Sequence, residues 1–225
     1  MRKKQCILVC LIALMLVLSA CVQPINNDEV ITEYFEGGDA WIRTSIEELS
    51  TYSTNVIRAE VIDSRVERIN TLLSDFDLDD EIAEQFIMLH TVHRLKVIEV
   101  FEGDLKAGNI VEVMQKGGRL GNHELIYNRQ LQLNSGDDLI FFLRNFEAQG
   151  YGHLPMALEA GSQAVYKITF FNETNELTEG IKKAFRTNPS ISELVLESVD
   201  PNNNLTLTVG DLMHISDISD SETNS

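Results

Sequence analysis

The chain has 225 residues, 24% of them charged, and a net charge of −17. So acidic a chain offers no basic footprint for nucleic acid and no polybasic patch for anionic lipid. The length suits one domain with decorations, large enough to bury a core without disulfide staples.

Arg2, Lys3 and Lys4 open the chain, and a mainly apolar run follows from Cys6 to Leu18. That run is shorter than the roughly 20 residues that span a bilayer. A charged start, a short apolar stretch and small residues at its end form the layout of a secretory signal. The ending Leu18-Ser19-Ala20-Cys21 resembles a lipobox. The resemblance implies cleavage before Cys21 and a diacylglyceryl group on its sulfur; two acyl chains anchor stably where one does not. Residues 1–20 are then a signal peptide, Cys21 the lipidation site, and the expected location the extracytoplasmic face of a cell membrane. Losing the three basic residues of the signal takes the net charge from −17 to −20. Cys6 and Cys10 leave with the signal, so the mature chain has no disulfide and no cysteine metal site.

Residues 21–43 read as a lipidated tether, with Asn26-Asn27-Asp28-Glu29 and Gly37-Gly38-Asp39 in it. Thr44 or Ser45 offers an N-cap for a short helix to about Ser50, with Glu47 and Glu48 in its first turn. Asn55–Ile62 alternates as a strand. Residues 63–89 look like an insertion outside the sheet, with a carboxylate cluster at Asp75, Asp77, Asp79, Asp80 and Glu81 and a helical turn near Ile82–Leu89. His90–Phe101 is a long strand whose apolar phase slips near Val97-Ile98, the mark of a β-bulge. Asn109–Lys116 follows as a strand, then a loop holding His123 and Glu124, then Asn128–Leu133 as a further candidate. Asp138–Leu143 is apolar on both faces and belongs in a covered, central position. Ala164–Phe171 alternates again. A C-terminal annex spans 173–216, with helices expected at 176–186 and 190–199 and a last short strand or extended segment through Leu205, Leu207 and Val209. Residues 217–225 form a polar tail.

Several segments in this order resemble a group of uncharacterised bacterial exported proteins with an OB-like barrel. They are Ser45–Leu49 with Val56–Val61, Val97–Gly103, Ile110–Val113, Gly136–Leu143 and Gly161–Ile168. The resemblance covers residues 45–168 and implies a mainly β fold with a few short helices. Its domain, 44–172, would be an OB-like curved five-stranded antiparallel sheet or barrel. The layout is also distantly similar to the netrin-like domain of tissue inhibitors of metalloproteinases. Those inhibitors place a free N-terminal cysteine on zinc; an acylated Cys21 removes that chemistry.

No motif carries catalysis: there is no Gly-x-Ser-x-Gly elbow, no His-Glu-x-x-His and no phosphate-binding glycine loop. Asp75-x-Asp77-x-Asp79 opens like a calcium loop, but Asp80 and Phe86 stand where an EF-hand needs Gly and Glu. Only weak divalent-cation binding is expected of it. His90 and His93, three apart on a strand, face opposite ways and cannot share a metal. No cofactor and no metal site is expected. Phe141 and Phe142 belong to the core rather than to a stacking platform. The expected role is a non-enzymatic surface module for a protein or cell-wall ligand; the alternative is an exported enzyme or accessory inhibitor.

Overall fold

A computed structural model describes residues 29–35, 42–71, 86–168 and 195–223. The chain divides into two units, Met1–Val30 and Ile31–Ser225, and every described element belongs to the second. Cys21, Trp41, the carboxylate cluster at 75–81 and the segments expected at 169–171 and 176–186 lie outside the described residues.

The second unit is mainly β. Its strands are β1 (Ile31–Phe35), β2 (Asn55–Asn70), β3 (Ile87–Glu102), β4 (Ile110–Lys116), β5 (Gly118–Leu120), β6 (His123–Tyr127), β7 (Asp138–Arg144), β8 (Met156–Leu158), β9 (Val165–Lys167), β10 (Val195–Ser198) and β11 (Leu207–Thr208). Its helices are α1 (Ile46–Tyr52) and α2 (Val209–Thr223). Eight strands make one sheet, ordered β11-β10-β9-β7-β2-β3-β4-β8, and β8 also pairs with β7. The five segments expected in one sheet are all there, as β2, β3, β4, β7 and β9. Among the described residues the sheet has eight strands rather than five, the short strands β8, β10 and β11 being the additions.

The slip in β3 is a bulge: Arg58 pairs with Glu99 and Ala59 with Val97, so Ile98 has no residue opposite. Phe101 and Ile62 are skipped in the same way. Each bulge bends and twists the pair. β7 runs between β2 and β9, with Leu139 through Leu143 all buried, as its unbroken apolar run anticipates. Ser45 is the N-cap of α1, its hydroxyl accepting from the Glu48 N–H at 3.1 Å. Ile46 and Leu49 pin the helix to the core.

Several readings need correction. Residues 63–70 and 87–89 are not an insertion but the ends of β2 and β3, paired through to Asn70 and Ile87. Their polar side chains form a solvent face held by ion pairs, Arg65 with Glu67 two residues along the same strand (3.1 Å), and between strands Arg65 with Glu112 (2.6 Å) and Arg94 with Asp63 (3.0 Å). Residues 31–35 are not tether; they pair in parallel with β6, the supposed loop at His123 and Glu124, and β5 completes this separate three-stranded sheet. Among the described residues, Asn128–Leu133 joins no ladder. At the C-terminal end, Val195–Ser198 is strand rather than helix, and the tail from Asp217 continues α2 as far as Thr223. Val209, Leu212 and Ile215 bury one side of that helix, and Thr208 and Asp211 cap it reciprocally at 3.1 and 2.8 Å.

Candidate functional site

His93 is 3% exposed, with Ser64 opposite it on β2. Ser64 Oγ lies 2.6 Å from His93 Nδ1, and Gln115 Nε2 lies 2.6 Å from His93 Nε2. A hydroxyl, an imidazole and a carboxamide in line look like a hydrolytic set, and the proton directions decide what they are. Leu131 orients the carboxamide: its N–H donates to Gln115 Oε1 at 2.9 Å, and Gln115 Nε2 donates to its carbonyl at 3.1 Å. The second Nε2 proton therefore faces His93 Nε2, which accepts. Nδ1 then carries the ring proton and donates to Ser64 Oγ. An imidazole that donates to a hydroxyl does not take its proton, so this contact leaves Ser64 unactivated. Burial pushes His93 down to about 4, so the ring is neutral at neutral pH.

His90 is equally buried, is held below its ordinary range by that burial, and contacts the Met88 carbonyl at 3.1 Å. The two histidines serve different partners. His123 is half-buried, and His153 and His214 are exposed. Among the described residues, no group of three or more His, Cys, Asp or Glu is placed to hold a metal. Asp138 of the Asp137-Asp138 pair forks onto Arg58 at 2.8 and 2.5 Å. Phe141 and Phe142 are fully buried.

Leu131 links this interior set to a cleft of about 1230 Å³. From Leu131 to Asn134 burial alternates as in a strand: Leu131 and Leu133 enter the core, while Gln132 and Asn134 are exposed. Asn128, Gln130, Gln132 and Asn134 thus recur at every second position, and all four line the cleft. Gln130 turns inward to donate to Thr91 Oγ1 at 2.8 Å, and the Asn134 N–H donates to Asp137 Oδ2 at 2.7 Å. Gln132 and Asn128 face solvent.

The turn Asp200–Asn204 lines the same cleft. Asp200 Oδ1 accepts the Asn202 N–H at 2.8 Å. Asn203 is used internally, its Nδ2 within 3.0–3.2 Å of Ser198 Oγ, Tyr166 OH and the Gln163 carbonyl. Burial pushes the Tyr166 phenol up to about 12, so it stays protonated. Asn202 and Asn204 are left at the surface.

Gln163, buried, also lines the cleft. Its Oε1 accepts the Arg43 N–H at 2.8 Å, and its Nε2 donates to the Arg43 carbonyl at 3.2 Å and to Asn204 Oδ1 at 3.3 Å. Arg43 grips the buried Glu159 through Nε at 3.2 Å and through Nη2, and stacks on Tyr52 at 3.9 Å. Arg144 approaches the other Glu159 oxygen at 3.8 Å. Two cations about one buried carboxylate meet the charge that burial would otherwise leave exposed to a low dielectric. Ala160, between these pinned residues, takes the left-handed region at φ 57°.

Sequence reasoning passed over Gln115, Gln163, Arg43 and Glu159, whose partners lie far away in the chain. The amide row at 128, 130, 132 and 134 and the run Asn202-Asn203-Asn204 were the available signals. Compared with known proteins, the chain matches no family model, no curated protein and no solved structure. Among the described residues, no helix is long and apolar enough to cross a membrane.

Proposed function

We propose that the chain is a lipid-anchored, non-enzymatic binding module of the extracytoplasmic membrane face, holding a polar protein or cell-wall ligand in the amide-lined cleft. The anchor rests on Leu18-Ser19-Ala20-Cys21 behind a short apolar run. The binding half rests on one observation: carboxamides from two separate segments, 128–134 and 202–204, line one large cleft and supply both donors and acceptors. The domain is read as an OB-like barrel, with support from β8, which pairs with both β4 and β7 and so links the two sides of the run β7-β2-β3-β4. The direction of the His93–Ser64 hydrogen bond supports binding over hydrolysis.

The test is hydrogen–deuterium exchange on the detergent-extracted protein, with and without soluble cell-wall fragments and a random peptide library. The expected result is ligand-dependent protection at Gln132–Asn134 and Asn202–Asn204, lost in a Gln132→Ala, Asn202→Ala variant. Both side chains are exposed, so the variant keeps its fold. Ligand binding that the double substitution leaves unchanged overturns the cleft as the site.

A further inference from the structure

Carboxamides already hold backbone twice inside this protein. Gln115 clamps both the N–H and the carbonyl of Leu131, and Gln163 does the same to Arg43. The chemistry is general: a primary carboxamide presents one donor and one acceptor side by side, and the N–H and C=O of one extended residue match them. The cleft offers the same group at the surface from two segments, as Asn128 and Gln132 from one and Asn202 from the other.

The first of these segments also carries an open backbone edge. Leu131 turns its N–H and carbonyl to Gln115. In an extended chain, successive residues send these groups to opposite edges. Those of Gln132 therefore point away from Gln115, and no described residue hydrogen-bonds them. An edge of this kind is a template for a further strand.

We propose that the cleft takes an extended polypeptide and reads it through its backbone. The segment lies along Leu131–Asn134, pairs with the N–H and carbonyl of Gln132, and is clamped by the carboxamides of Gln132 and Asn202. This inference rests on the cleft being the ligand site. The cleft makes no strong demand for a charged peptide, since both signs line it: Arg129 and Lys167 beside Asp137, Asp200 and an Asp138 already held by Arg58. A glycan, by contrast, finds no aromatic ring among the described lining residues on which to stack a sugar face.

The experiment selects random peptides displayed on phage against the detergent-extracted full-length protein, with the Gln132→Ala, Asn202→Ala variant as counter-selection. Selected peptides are resynthesised with single backbone N-methyl groups. Binding should fall at least about tenfold in the variant and on N-methylation at alternate amides, while alanine replacement of peptide side chains changes it only a few-fold. Peptides that bind unchanged after N-methylation at every position overturn backbone reading. Failure to select any variant-sensitive peptide, together with protection of Gln132–Asn134 by soluble glycan strands, removes the polypeptide and leaves the cleft as a ligand site. Failure with both probes removes the cleft reading as well.

Discussion

Replacing His93 by glutamine should remove a specific acid sensitivity of the fold. Burial holds the His93 ring at about 4 in the folded protein, against an ordinary 6.5. Between those values the unfolded chain takes up a proton that the folded chain refuses. Stability therefore falls as pH drops from 6.5 towards 4, by about 1.4 kcal/mol per pH unit and about 3 kcal/mol in all. Geometry gives the same sign: a protonated Nε2 would set N–H against the Gln115 N–H, and turning that carboxamide would release both bonds to Leu131. His93→Gln keeps an acceptor for Gln115 and does not titrate. The assay is urea unfolding of both proteins at intervals between about pH 7.5 and pH 4.5. Carboxylates and the buried His90 titrate in both, so they cancel in the difference. The stability advantage of wild type over the variant should shrink as pH falls through this window. An advantage that stays constant with pH would refute the buried, neutral ring.

Arg43→Met leaves Glu159 with only the distant Arg144 at 3.8 Å, and should cost about 3–5 kcal/mol by urea unfolding, with Arg43→Met, Glu159→Leu recovering much of it. Arg65→Ala removes ion pairs whose partners are some 40% exposed, and should cost less than about 1 kcal/mol in the same assay. Gly103 and Gly108 both have left-handed φ, 101° and 88°, but a Cβ on Gly103 would strike Asn55 Oδ1 and the Thr54 carbonyl whereas one on Gly108 meets nothing. Gly103→Ala should therefore destabilise by about 1–3 kcal/mol more than Gly108→Ala; equal losses would show that the Asn55 contact is not tight. At pH 5, the protection of the Leu131 amide, taken relative to its intrinsic exchange rate at each pH, should be lower than at pH 7 in wild type and unchanged in His93→Gln.

The central strands were legible because their side chains obey simple periods. The apolar run of β7 and the phase slip at Ile98 each have one structural meaning when read along the chain. The outer halves of β2 and β3 were not legible, because Arg65, Glu67 and Asp63 look like loop residues until cross-strand partners such as Glu112 and Arg94 stand beside them. The pairing of β1 with β6 joins segments some 92 residues apart, and flanking Asn, Asp and Gly masked five residues of strand. In α2, Val209 continued a period of two from Leu205 and Leu207, and only the burial of Leu212 and Ile215 shows the period of three that extends the helix. The site was half visible: the alternating amides belong to one short stretch, but their meaning depends on Gln115 meeting Leu131 and Gln163 meeting Arg43 across the fold.

The proposed membrane role turns on the chemistry of one sulfur, and intact mass spectrometry of the protein extracted from membranes reads it directly. A mature chain beginning at Cys21 and carrying a diacylglyceryl group, with Cys21→Ser left unacylated and released or misprocessed, is the predicted result. A chain that keeps Met1, or a Cys21 thiol that is free in a protein still partitioning with membranes, would contradict it.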